Sequence, residues 1–487
     1  MEHGYELLKA CTNFFADFII FSLLALYLCR LHLSPYRFKK DPVVKKSLKV
    51  FVKTYGCQMN ERDSEMILSQ LQCTGYELTD NEKIADVVIL NTCSVREQAE
   101  IKALGKSGYL ARKKRTNPNF KIGIVGCMAE NLGEKLFKLN GAIDFVVGPK
   151  RLHELANVIE GNGPNLCIGD PEVRCPTHGF GRKLGKNQCS AFLSIMQGCN
   201  MRCSYCIVPK TRGIEQYRPM QDIVEEAKFL AENGIREITL LGQIVNNYGG
   251  RLMPMVDGKT PFVQLLEHLN ALPWIERIRY MSPHPKNFSD DLILAHKNLP
   301  KLCPSVHLPI QSGSDRILAA MKRPYTREKI LEIVEKLRSA VPDVGISTDI
   351  IVGYPGETEE DFEETVSLFD AVKFNMAFIF KYSPRAGTKS ADLIDNVGDG
   401  EKERRNQILL QRVQETSSYY HRKFLGKTVE VLIEGHAKRG EDTMFGWTSN
   451  HCKVLVKASE NNIGRIVPIR IDGFATTILS GTLVDSY

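Results

Sequence analysis

The chain reads as an α/β protein in three blocks: a parallel-sheet amino domain, a partial (βα)6 barrel and a small β-barrel at the carboxyl end. Three observations predict this. Strand-then-helix repetition with short turns occurs three times from Leu48 to about Lys150. It resumes with six strand-like runs from Ala191 to about Tyr382. Repeated β-α-β units imply parallel sheets joined by right-handed crossovers. After a charged helical stretch at Glu401–Phe424, short β-rich runs take over, as in a small antiparallel barrel.

At 487 residues the chain has length for about three domains, each able to bury its own core. Charged residues at 25% and hydrophobic ones at 43% are those of an ordinary soluble protein. The net charge of +7 permits a polyanionic partner without requiring one. Fourteen cysteines spread through a long chain do not form the pattern of a disulfide framework. A reducing compartment with metal chemistry accounts for them better.

Residues 1–47 stand apart as an apolar and basic extension. Phe18–Cys29 is strongly apolar but shorter than the roughly 20 residues a bilayer span needs, unless it extends past Asp17. Arg30, Arg37, Lys39 and Lys40 follow it and would hold later domains in the cytoplasm if it inserted. A mis-called start, a peripheral anchor and a true span all fit. The first is preferred, because the rest of the plan needs nothing from this segment.

In the block 48–150, Val50–Tyr55 alternates apolar residues and ends at Gly56-Cys57, with a helix over Glu61–Leu71. Asp86–Asn91 is a buried strand ending at Thr92-Cys93, followed by a helix from Arg96 through Arg112. Lys121–Val125 ends at Gly126-Cys127, with a helix over Glu130–Leu139. The carboxyl ends of parallel strands share one sheet edge, where ligands bind. Cys57, Cys93 and Cys127 therefore converge although 36 and then 34 residues separate them. One cysteine there would be a small buried hydrophobe. The same register three times is better explained by a metal cluster with one iron left open. Residues 151–190 read as a connector whose Cys167, Cys175 and Cys189 are ordinary thiols, as are Cys11, Cys29, Cys73, Cys303 and Cys452.

The block 191–424 supplies the barrel. Its strands are expected at Phe192–Met196, Glu237–Leu241, Arg277–Met281, Val306–Ile310, Ile346–Val352 and Met376–Lys381. Barrel enzymes carry their chemistry on the loops at the carboxyl ends of the strands. The first such loop holds Cys199, Cys203 and Cys206, with three and then two residues between them. Thiolates so spaced wrap one corner of an iron–sulfur cube and leave its fourth iron without a protein ligand. An open position suits substrate binding, where a closed site would be structural. A zinc knuckle would need a fourth Cys or His nearby, and none stands in the next thirty residues. Polar residues mark the later strand ends: Gln243, then Ser282 and His284, then Gln311, Ser312 and Ser314, then Gly353–Glu357. Ser314 and Thr358 also suit helix caps, and Gly353 and Gly356 suit a tight turn. Arg212, just past the cysteine loop, could bind a carboxylate or an RNA phosphate.

The last block, 425–487, is basic through Lys427, His436, Lys438, Arg439, Lys453, Lys457, Arg465 and Arg470, with Phe445 and Trp447 able to stack on bases. A basic groove with aromatics is how small barrels hold RNA.

The Cys-x3-Cys-x2-Cys loop resembles that of the radical S-adenosylmethionine enzymes. With the three cysteines on a Rossmann-like amino domain and a terminal barrel of the TRAM type, residues 48–484 resemble the methylthiotransferase family. Lys53–Asn60 with Asp63-Ser64-Glu65, Asn91–Arg96, Ser282–Pro285 and Leu308–Ser314 look like its tRNA branch, which acts on N6-isopentenyladenosine beside the anticodon. Ile244 departs from the pattern, since the family usually has Asn after Gln243.

The resemblance implies two 4Fe-4S clusters, on Cys57, Cys93 and Cys127 and on Cys199, Cys203 and Cys206, together with S-adenosylmethionine. Gln243, Gln311, Ser312 and Gly353 are its candidate S-adenosylmethionine contacts; no other catalytic residue is assigned. It implies radical cleavage of an unactivated C–H bond at carbon 2 of the adenine, then insertion of sulfur and methyl transfer. The expected partners are the anticodon stem-loop of tRNA and an electron donor such as a flavodoxin or ferredoxin, met by a monomer in the cytoplasm with no stable protein partner. The competing readings are the same chemistry on a ribosomal protein, and a non-catalytic iron–sulfur RNA-binding protein.

Overall fold

A computed structural model of the chain describes residues 48–170, 182, 184–440 and 442–484. The apolar extension and Cys175 lie outside the described residues. Among the described residues no helix is long and apolar enough to cross a membrane.

The amino block is a six-stranded parallel sheet in the order β2-β1-β3-β4-β5-β6. Its strands are β1 (Lys49–Tyr55), β2 (Glu77–Leu78), β3 (Val87–Thr92), β4 (Lys121–Val125), β5 (Phe145–Val147) and β6 (Leu166–Cys167). The three strands expected from sequence lie side by side within it. Every residue of β3 is buried, which is why it reads as a continuous apolar run. The sheet continues into the stretch read as a connector, because β6 pairs with β5. The helix expected over Glu130–Leu139 is two short ones, Cys127–Leu132 and Lys135–Leu139, broken at Gly133 with φ +50°.

The barrel block carries two parallel three-stranded sheets. One orders β11 (Arg277–Tyr280), β10 (Glu237–Leu241) and β7 (Ser190–Ser194); the other orders β12 (Ser305–His307), β13 (Gly345–Val352) and β14 (Met376–Lys381). A single parallel bridge, Ile278 to Leu302, links the halves. The hairpin of β8 (Met196–Gln197) and β9 (Gln216–Tyr217) frames the cysteine loop. One apolar core joins both halves to the outer helices, from Leu193, Ile238 and Ile278 to Ile346, Phe369 and Leu409.

The carboxyl block is a closed barrel ordered β15-β16-β17-β19-β18, from Thr428–His436, Thr443–Thr448, Lys453–Lys457, Ile478–Leu483 and Ile466–Ala475 respectively. The sequence predicts strands at Thr428–Glu434, Lys453–Lys457, Ile466–Ile471 and Thr476–Leu483; Thr443–Thr448, which holds the Phe445 and Trp447 able to stack on bases, is a fifth. It alternates buried and half-buried positions and so completes the closure. This barrel sits against the amino-terminal ends of the larger barrel's strands. Arg277 donates to the carbonyls of Trp447 (2.7 Å) and Glu430 (3.0 Å), and Arg279 to those of Ser449 (2.8 Å) and Thr448 (2.7 Å). Glu237 compensates the charge of Arg279 at 2.7 Å.

Candidate functional site

Cys57, Cys93 and Cys127 fall at the carboxyl ends of β1, β3 and β4, which are neighbours in the sheet. Cys57 caps the helix Gln58–Cys73, and Cys127 opens the helix Cys127–Leu132. Beneath them lies a buried polar floor. Cys57 Sγ donates to Asn60 Oδ1 at 3.3 Å, Asn60 Nδ2 to Asn91 Oδ1 at 3.2 Å, and Asn91 Nδ2 to Ser64 Oγ at 2.9 Å. Neither asparagine has any exposed surface, so each needs the other as a partner.

The neighbouring Cys93 thiol, with the charge of Arg212, pulls the Cys57 thiol down to about 6, and Cys93 is pushed well up by Cys57 and by burial. Burial pushes Cys127 up, while Arg212 opposes it. Arg212 comes from the other block, on the helix Val208–Arg212. Its Nε donates to Cys127 Sγ at 3.1 Å, and its two terminal nitrogens reach Asp63 at 3.1 and 2.5 Å. It is 4% exposed, so it holds a carboxylate of its own chain and no RNA phosphate. Sequence alone gave no sign that its partners lie 149 and 85 residues away.

The second group sits on the loop after β8. Gly198, with φ +82°, lets the loop pass so close that a Cβ would stand 2.0 Å from the Ile214 carbonyl oxygen. Cys199 N–H donates to the Gly213 carbonyl (3.0 Å), and Met201 N–H to Cys199 Sγ (3.4 Å). Ser204 Oγ donates to the Ala320 carbonyl at 2.9 Å and meets Tyr354 Oη at 2.9 Å. Arg323 Nη1 donates to Cys203 Sγ at 3.4 Å. Burial pushes Cys199 up to about 11 and Cys206 to about 12, so a metal taken up here would displace protons.

The other strand-end residues divide. Gln243 Oε1 and His284 Nε2 are buried with no hydrogen-bond partner among the described residues, as groups awaiting a ligand would be. His284 Nδ1 accepts from Lys286 N–H at 3.2 Å, and burial lowers its pKa to about 3, so it stays neutral. Gln311 adopts φ +75° and joins the β13 ladder, its N–H on Asp349 and its carbonyl taking Ile351 N–H. Ser312 accepts from Ser314 N–H at 3.2 Å and faces Thr365. Gly353 gives its N–H to Glu357 at 2.6 Å, and a Cβ there would meet Lys402 Cγ at 2.3 Å. Ile244 is buried.

The residues fit the groups expected of them. Each triplet is gathered without a fourth Cys or His, and each has a cation donating to one sulfur. Three thiols with no fourth protein ligand are the donor set of a cluster that keeps one iron open.

Comparison with known proteins agrees. Residues 193–369 match the Radical SAM superfamily, residues 49–148 the Uncharacterized protein family UPF0004, and residues 422–484 the TRAM domain. A radical S-adenosylmethionine methyltransferase, TsrM, from Kitasatospora setae shares the fold, with a TM-score of 0.53 at 16% identity, over 71% of this chain and 77% of that one. The tRNA-2-methylthio-N(6)-dimethylallyladenosine synthase of Opitutus terrae is 45% identical over 468 residues, 90% of this chain and 97% of that protein. Those of Methylacidiphilum infernorum and Akkermansia muciniphila are 46% and 45% identical, each over 87% of this chain, covering 92% and 96% of those proteins. The chain therefore belongs to the tRNA-2-methylthio-N(6)-dimethylallyladenosine synthase family, radical S-adenosylmethionine enzymes that work with 4Fe-4S clusters.

Proposed function

We propose that this chain converts N6-(dimethylallyl)adenosine beside the tRNA anticodon to its 2-methylthio derivative. One observation carries the reading: two cysteine triplets lie at the strand ends of two adjoining blocks, and Arg212 of one block donates to a cysteine of the other. When bound, the 4Fe-4S clusters and S-adenosylmethionine supply the radical chemistry that breaks the unactivated C–H bond, together with the sulfur and methyl that replace the hydrogen. Cys199, Cys203 and Cys206 hold one cluster, and Cys57, Cys93 and Cys127 the other.

The chain's own share is placement. Arg323 and Arg212 hold a thiolate of each triplet by charge-assisted hydrogen bonds. Gln243 offers a buried acceptor, and neutral His284 presents Nε2 as a donor or acceptor according to tautomer. Gln311 lines the same end, while Ser312 and Gly353 support the turns beside it. The terminal barrel adds exposed cations, Lys438, Arg439 and Arg465, that attract the RNA through its phosphates. The enzyme acts in the cytoplasm as a monomer and draws electrons from a flavodoxin or ferredoxin.

Nucleoside mass spectrometry of tRNA from a deletion strain tests the reading. The 2-methylthio nucleoside should vanish, return with the native gene and stay absent with Cys199→Ala. An unchanged nucleoside profile in the deletion strain would end it.

A further inference from the structure

Away from the cysteines, at the amino-terminal ends of β13 and β14, lies a cavity of about 230 Å³ lined by Arg338, Lys373, Lys423, Asn375, Tyr419 and Tyr420. All three of its charged lining residues are cations. None of them has an ion-pair partner among the described residues, and Arg338 Nη2 donates to the Val372 carbonyl. The nearby Asp343 engages through its carbonyl, which accepts from Tyr420 Oη at 3.2 Å and Asn450 Nδ2 at 2.7 Å. Lys373 and Lys423 both lie with Nζ 5.4 Å from the ring centre of Tyr419, which is 56% exposed. In the floor, Asn375 Oδ1 is buried with no partner among the described residues.

Three helices end here: Arg327–Ala340, Glu359–Val372 and Asp399–Arg422. Each helix end carries about half a negative charge. Together they offset roughly half of the three cations, and the remainder calls for an anion. The cavity is small beside the roughly 300–1,000 Å³ of pockets that enclose a whole small molecule. It suits one group of a larger ligand. It is also continuous with the terminal barrel, whose core takes in Tyr420.

We propose that this cavity is a second docking point for the tRNA, taking one backbone phosphate among Lys373, Lys423 and Arg338 with the adjoining nucleotide against Tyr419. The inference rests on the reading that the substrate is RNA, and it extends the RNA surface from the terminal barrel onto the foot of the larger one. Asn375 Oδ1 accepts from a ribose hydroxyl or a base amine beside that phosphate.

The test measures affinity for isopentenylated tRNA across a salt series, using the full chain, Lys373→Gln with Lys423→Gln, and Lys373→Arg with Lys423→Arg. Each lost phosphate contact lowers the slope of log affinity against log salt by somewhat under one. The Gln pair should therefore lose somewhat under one unit of slope, and the Arg pair should keep it. Tyr419→Ala should weaken binding with the slope unchanged, as stacking does. Amine acylation supplies a second readout: tRNA should shield Lys373 and Lys423, and inorganic phosphate at the same phosphate concentration should not. An unchanged slope in the Gln pair overturns the proposal, as does a weaker affinity at constant slope. Shielding by inorganic phosphate alone makes the cavity a small-anion site and also overturns it. Failure of the native chain to bind tRNA at any salt would sink the RNA reading itself and the cavity with it.

Discussion

Replacing Arg212 by Met should strip the joint between the two cysteine-bearing blocks of its charge match. The guanidinium side chain is 3% exposed and the Asp63 carboxylate 8%, so water cannot take the place of either. At about 3 Å and an effective dielectric of ~20 their attraction is roughly 5 kcal/mol before desolvation is counted. Removing one partner of a buried pair leaves the other charge stranded, at a cost of about 3–5 kcal/mol. For units of this size that corresponds to roughly 6–20 °C in unfolding midpoint. Asp63→Asn with Arg212→Met leaves no stranded charge, so the double variant should recover more than half of the loss. The assay is thermal unfolding of anaerobically purified protein, with iron per chain determined on the same samples. Iron should also fall in the single variant, because Cys127 loses its donor at 3.1 Å. A single-variant cost under about 1 kcal/mol, or a double variant whose loss equals the sum of the singles, would refute the reasoning.

Further outcomes can be stated briefly. Changing Cys199, Cys203 and Cys206 together to Ala should halve the iron of reconstituted protein and abolish reductive cleavage of S-adenosylmethionine. Changing Cys57, Cys93 and Cys127 should also halve the iron yet leave some cleavage; full iron content there would remove the second cluster. Gly198→Ala should lower cluster occupancy, because its new methyl would press on the Ile214 carbonyl and φ is positive; native iron content would contradict this. His284 and His296 are held neutral by burial, at about 3 and about 4. Below about pH 6.5 the unfolded chain binds protons at these positions that the folded chain does not. Stability should therefore fall as pH drops from about 6.5 toward 4, and the fall should be shallower in His296→Gln when unfolding is followed by urea titration. Charge removal at Lys438, Arg439 and Arg465 should lower the salt slope of tRNA binding without moving the unfolding midpoint. Deleting the terminal barrel is a poorer test of RNA binding, since Arg277 and Arg279 would lose four buried carbonyl acceptors.

The parts of this molecule legible in its sequence are those governed by local pattern. The strand β3 is buried on both faces, so Val87–Leu90 announces itself as an apolar run. Cysteines that repeat one register relative to strand ends can be placed together without any knowledge of the sheet. What escaped depends on distant partners or on short, ambiguous runs. Phe145–Val147 and Leu166–Cys167 are too short to show a period, and pairing alone makes them strands. Thr443–Thr448 carries a glycine and two aromatics, which suggested a binding surface where closure of a barrel was at stake. The Trp447 indole N–H donates to Glu434 at 3.2 Å and its carbonyl serves Arg277. Arg212 was noticed as a cation able to meet a carboxylate, but only the folded chain shows that the carboxylate is Asp63.

The helix Gln58–Cys73 meets the barrel block through charge along much of its first half. Arg62 reaches Glu226 at 3.1 Å, Glu65 takes Arg182 at 2.7 Å, and Asp63 takes Arg212. Glu226 in turn holds Arg182 and Arg218. A greasy seam would let two bodies slide or swivel with little change in energy, because apolar contact has no direction. Guanidinium–carboxylate hydrogen bonds do have direction, and the Arg212–Asp63 pair is bidentate, so this seam acts as a keyed joint. It fixes the angle at which one sulfur-bearing edge faces the other, and a block borrowed from a distant relative would bring the right cysteines and still present them at the wrong pitch.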